Sequence, residues 1–152
     1  MSRGEHHDHD REHLSFQEAV AQIAQHDPRY PAEAYFFVRD GLDDTVKRLK
    51  KGARGVMRHV TGKELSEGLC AFAIEEYGPM ARFTLAAWGL HRTEDFGEVV
   101  FKLIEAGRLG KTENDRKEDF AGLFDLAAEL SAPFAVEEPP PPMRPIHRPR
   151  PQ

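Results

Sequence analysis

The sequence predicts a mainly α protein of about five helices with a small β-hairpin, helices 3 to 5 and the hairpin forming a winged-helix-like arrangement. Three observations predict it. Capping boxes and Gly-Pro punctuation bound successive short segments, and apolar residues recur within them at spacings of three and four. Between Val60 and Phe120, three such segments are followed by a polar stretch that reads as a wing.

The first helix starts behind Ser15, with Glu18 completing a capping box ahead of Phe16, Val20 and Ile23. His26-Asp27-Pro28 stops it. Pro31 suits the first turn of the second helix, whose stripe is Tyr35, Phe36, Val38, Leu42, Val46 and Leu49. Gly41 is a weak point there, costing about 1 kcal/mol relative to alanine. Gly52 and Gly55 end the element.

Thr61 and Glu64 form the capping box of the third helix. Leu65, Leu69, Phe72 and Ala73 make its main stripe, and Cys70, Ile74 and Tyr77 widen it enough to suggest a central helix. Gly78 suits the C′ position and Pro79 the first turn of the fourth helix, which carries Met80, Phe83, Leu85 and Trp88 up to Gly89. Thr93 caps the fifth helix, placing Glu94 and Asp95 at its positive end, and Gly107 closes it. Leu109 to Thr112 and Asp119 to Gly122 are the expected strands of the hairpin. Leu126 to Leu130 is a last helical turn before Pro133. The expected core is Phe36, Leu42, Leu65, Leu69, Phe72, Phe83, Trp88, Phe96, Val100, Leu103 and Ile104. Aromatics at helical spacing, Phe101 among them, read as packing rather than as a binding platform.

The 152 residues suit one domain, expected over 14–136 with its winged part over 60–122. Residues 1–13 are charged and rich in histidine, and 137–152 carry most of the prolines, so both read as disordered tails. The net charge of -5 gives no general attraction to nucleic acid or anionic lipid. One cysteine excludes an internal disulfide, and no segment reaches the roughly 18 apolar residues that span a bilayer. A cytoplasmic setting is expected.

No catalytic signature emerges, and neither a cofactor nor a metal is indicated. His6, His7 and His9 with Asp8 and Asp10 have the right residue types for a metal, but a tail fixes no tetrahedral geometry. His59 and His91 lack a second ligand at helical spacing. Cys70 reads as core, and Ser15 and Ser66 lack a nucleophile-elbow context. Arg39, Asp40, Arg82 and Arg92 would have to gather in a concave site for an enzyme reading to stand.

Two surfaces carry function instead. The outer face of the fifth helix bears Glu94, Asp95, Glu98 and Glu105 against Lys102, the wrong sign for a DNA reader and the right one for a basic protein surface. The leading expectation is therefore a non-catalytic module that binds another protein through that face or the wing. The alternative is a nucleic-acid or ribonucleoprotein partner held by Lys47, Arg48, Lys50, Lys51, Arg54 and Arg58, a run without acids. No aromatic interleaves that run, so any binding would follow phosphates and fall steeply with salt. Pro142-Met143-Arg144-Pro145 is a weak PxxP motif.

The segments DPRYPAEAYFFVRDGLDDTVKRL, RHVTGKELSEGLCAFAIEEYGPMARFTLAAWGL and RTEDFGEVVFKLIEAGRLGKTENDRKEDF resemble the conserved-hypothetical family of planctomycete and verrucomicrobial bacteria. GPMAR, WGL and RTEDFGE are its most specific wording, and the likeness covers about Phe16 to Phe134. The resemblance implies a cytosolic bacterial protein and supplies no activity, cofactor or residue role.

Overall fold

Two glycines allow a close helix crossing in this fold. In the computed structural model, which describes residues 3–52, 60–110 and 116–135 (side chains of the first segment from 15 to 50), α2 (Ala32–Gly52) crosses α3 (Gly62–Tyr77) at Gly41 and Gly68. A Cβ at Gly41 would lie 2.4 Å from Leu69 Cδ2, and one at Gly68 would lie 2.0 Å from Thr45 Oγ1. Gly41 is thus a packing requirement, and its helix-propensity cost is offset by the approach it allows. The buried Thr45 hydroxyl donates to the Gly41 carbonyl at 2.7 Å, so the crossing leaves no unpaired polar atom on that side chain.

The buried face of α2 runs through Ala34, Tyr35, Phe37, Val38, Gly41 and Thr45, so Tyr35 and Val38 of the expected stripe are buried and its later positions are displaced by one. Leu42, Val46 and Leu49 are only half-buried. α1 (Arg3–His26) packs on α2 through Phe16 and Phe36, whose ring centroids are 5.4 Å apart. The Arg39 guanidinium covers Phe16 at 4.3 Å and Phe36 at 5.3 Å. α1 begins well ahead of Ser15, so most of the segment expected as a disordered tail over 1–13 continues the helix. Ser15 is not its cap, because the hydroxyl accepts from Arg108 instead.

α3 is central, as expected, and packs against α2, α4 (Ala81–Ala87), α5 (Thr93–Glu105) and α6 (Leu126–Ser131). Its capping box is present: Thr61 Oγ1 accepts from the Glu64 amide at 3.1 Å, and Glu64 Oε1 from the Thr61 amide at 3.2 Å. Gly78 ends it at φ 55, and Gly89 (φ 81) and Gly107 (φ 72) end α4 and α5. Phe37 stacks on Phe72 at 5.7 Å and meets Trp88 at 5.8 Å, joining α2, α3 and the end of α4.

Two expectations are corrected. Gly78–Met80 forms a 3-10 turn before α4, which turns Ala81 and Leu85 inward and leaves Phe83 51% exposed, outside the core. Among the described residues there is no strand, so the hairpin and the winged arrangement are not supported. Lys117–Phe120 is a 3-10 turn and Gly122 has φ 58, which breaks the second expected strand; residues 111–112 of the first lie outside the described ones. The segment is held instead by Phe120, buried against Gly97 of α5, where a Cβ would lie 2.9 Å from its own. Of the expected core, Leu65, Leu69, Phe96, Val100 and Leu103 are buried, while Phe36, Leu42, Phe72, Trp88 and Ile104 are half-buried. Tyr35, Val38, Leu85, Leu90, Val99 and Leu130 complete it.

Candidate functional site

A groove of about 440 Å³ opens between α1 and the end of α5. One wall is a single face of α1, Ser15, Glu18, Ala19, Gln22, Ile23 and His26, at the three- and four-residue spacings that stack side chains along a helix. At 1.5 Å per residue that face is about 16 Å long, a length suited to a peptide segment. The other wall is Lys102, Glu105, Ala106 and Arg108. Gly107 turns the chain back so that the Arg108 amide donates to the Leu103 carbonyl at 2.8 Å, and the Arg108 guanidinium then reaches Ser15 Oγ at 2.5 Å. Ala19, Ile23 and Ala106 give the groove apolar contact area, and Glu18, Glu105, Lys102 and Arg108 line it with charge.

Asp27 closes one end. Arg29 donates to both of its oxygens at 2.7 to 3.1 Å, and Lys102 Nζ lies 3.8 Å away. Those bonds hold the Asp27 carboxyl at about 2, well below the usual carboxylate range. His26 Nδ1 is 2.8 Å from the Gln22 carbonyl, a helix-end contact. Ser15 and His26 share the groove but stand eleven residues apart on one helix, roughly 16 Å, so they form no nucleophile–base pair.

Most of the acidic residues predicted to face a partner are engaged within the fold. Asp95 Oδ1 accepts from the Tyr30 hydroxyl at 2.6 Å, and Oδ2 accepts from the amides of His91 and Arg92 at 2.9 and 3.0 Å, so Asp95 caps α5 in place of Thr93. Burial and this neighbouring carboxylate push the Tyr30 phenol up. Thr93 is buried, donates to Glu94 and accepts from the Leu123 amide at 3.3 Å. Glu94 Oε1 accepts from the Gly122 amide at 3.2 Å, and its own backbone amide, followed by that of Gly122, holds the carboxyl low. Glu98 is paired with Arg29 at 3.4 Å and Lys117 at 3.3 Å. Glu105 alone of the four is exposed, and it stands in the groove.

Of the basic run, Lys47 and Lys50 are exposed at the end of α2. Arg48 is bound to Asp44 at 2.8 Å and to Glu75, which turns it towards α3. The Lys51 side chain, Arg54 and Arg58 lie outside the described residues, as do His59, the side chains of His6, His7 and His9, and the PxxP motif. Among the described residues no group of three His, Cys, Asp or Glu is placed to hold a metal. Arg39 is over Phe16 and Phe36, and Arg82 lies 4.4 Å above Phe83. Neither they nor Asp40 and Arg92 line the groove. Cys70 is buried in α3, and burial pushes its thiol up to about 12, the opposite of an activated cysteine.

The sequence reading missed the groove because Ser15 and Glu18 looked like a cap. The signal was the polar line Ser15, Glu18, Gln22 interleaved with Ala19 and Ile23, which continues past the supposed cap. No described helix is long and apolar enough to cross a membrane. No protein-family model matches the chain, and no curated protein or solved structure matches it either.

Proposed function

We propose that the protein is a non-catalytic interaction module that binds another protein, with the contact moved from the outer face of α5 to the groove beside its end. The observation that carries this reading is the elongated, charge-lined groove between α1 and α5, where Glu105 and Glu18 stand exposed over Ala19, Ile23 and Ala106. A helix or extended segment bearing basic residues fits it, since apolar contacts supply area while rim charges set orientation and encounter rate. Such a module works in the cytoplasm, where the lone buried Cys70 stays reduced.

The test is affinity recovery from native cells with the unaltered protein and with Glu18→Lys plus Glu105→Lys. Both side chains are exposed, so the variant keeps its fold, and a protein partner is expected to be lost or to fall about tenfold in affinity, the equivalent of about 1.4 kcal/mol. Retention of every partner would rule the groove out. The exposure of Lys47 and Lys50 at the end of α2 favours the second reading, a nucleic-acid or ribonucleoprotein contact. It predicts partners that vanish on nuclease treatment and on Lys47→Glu plus Lys50→Glu.

A further inference from the structure

The 3-10 turn Gly78–Met80 and the start of α4 present apolar side chains that the rest of the described fold leaves open. Met80, the last residue of the turn, is 58% exposed and Phe83 of α4 51%, three residues apart and next to the exposed Pro79. Ala81 and Leu85 point the other way into the core. The third large exposed hydrophobic, Phe134 at 41%, sits where the described chain ends, in the 3-10 turn Ala132–Phe134 that packs on α6; α6 in turn packs on α4. From there the chain continues as 136–152, which includes Pro139 to Pro142, Met143, Pro145 and Ile146.

We propose that this proline-rich segment of the same chain docks on the Met80–Phe83 face. Three observations argue for that occupant. The first is reach: 17 residues at about 3.1 Å each extend roughly 50 Å, several times the ~13 Å radius of gyration of a domain this size. The second is surface chemistry. Proline-rich segments lose little conformational freedom on binding and dock on aromatic side chains, and the Phe83 ring, one face of which the Arg82 guanidinium covers at 4.4 Å, offers such a surface with the Met80 thioether. The third is charge. Arg144, Arg148 and Arg150 follow the proline run with no acid among them. On the surface, Glu76 is exposed at the end of α3, a few residues before Met80, where the helix dipole also favours cations, while its neighbour Glu75 is already paired with Arg48. The docked segment would cover the face and leave the α1–α5 groove free.

The experiment uses the full chain carrying His147→Cys. The buried Cys70, with its thiol pushed up to about 12, stays unlabelled, so a nitroxide goes to residue 147 alone. The Met80 methyl resonance is expected to lose most of its intensity in the oxidised label and to regain it when the label is reduced. Phe83→Ser, on an exposed side chain, is expected to restore the signal while far-UV circular dichroism stays unchanged. An unbroadened Met80 methyl in the parent, or broadening that Phe83→Ser leaves intact, overturns the proposal. So does broadening that arises only between labelled and unlabelled chains and grows with concentration, which would assign the face to a second copy.

Discussion

Gly68 is the residue where a small change has the largest predicted consequence. Alanine there gains about 1 kcal/mol of helix propensity, yet its Cβ would sit 2.0 Å from Thr45 Oγ1 and 2.6 Å from Thr45 Cγ2. Thr45 is β-branched, buried and bonded to the Gly41 carbonyl, so it has no free rotamer into which to retreat. Overpacking of that kind costs about 1–3 kcal/mol and outweighs the propensity gain, so Gly68→Ala lowers the urea midpoint. Thr45→Ala removes the two nearest atoms and leaves its Cβ at 2.8 Å, so the double variant is expected to recover part of the loss in a double-mutant cycle. Strictly additive effects would mean that the two residues do not meet as described.

At the scale of elements, the segment after α5 is held by a seat rather than by strand pairing. Phe120 is buried on Gly97, and the Gly122 and Leu123 amides are bonded to Glu94 and Thr93. Phe120→Ala is therefore expected to cost about 3 kcal/mol or more and to speed hydrogen exchange at Gly122 and Leu123 first. Unchanged exchange at those two amides would show that the seat does not hold the segment. This element was the least legible in the sequence. Caps are local and were readable, as Thr61 with Glu64 and the glycine stops at 78, 89 and 107 show. What Phe120 does depends on Gly97, more than twenty residues away, and a single alternating polar stretch resembles a hairpin until that contact is known. The inward turn of Leu85 at the expense of Phe83 was hidden likewise, because the 3-10 turn at Gly78–Met80 shifts the helical phase.

For the whole molecule, the same carboxylates that made the fifth helix look like a partner surface join the α1–α2 connection, α5 and the turn at Lys117. Asp27, Arg29, Glu98 and Lys117 link those three parts, and residue types alone did not reveal that the charges were engaged inside the fold. The groove was less legible still, since it requires two helices to lie side by side. The linkage has a sign that stability against pH can read. Asp27, held at about 2 from an ordinary 3.8, contributes stability that is present above about pH 4 and is lost as pH falls through its folded value. Glu94, held low by its own backbone amide and then by that of Gly122, acts in the same direction. Cys70 and Tyr35 are both pushed up to about 12 by burial, from 9.0 and 10.0, so their contribution is present below pH 9 and is lost as pH rises towards 12. The urea midpoint is therefore expected to be level from about pH 5 to about pH 8 and to fall on both sides. Cys70→Ala should remove the earliest part of the alkaline fall, and Asp27→Asn should flatten the acid limb while lowering the plateau, because Arg29 loses its partner. An alkaline limb that starts at the same pH with and without the thiol would show that Cys70 ionises as freely in the fold as in the unfolded chain.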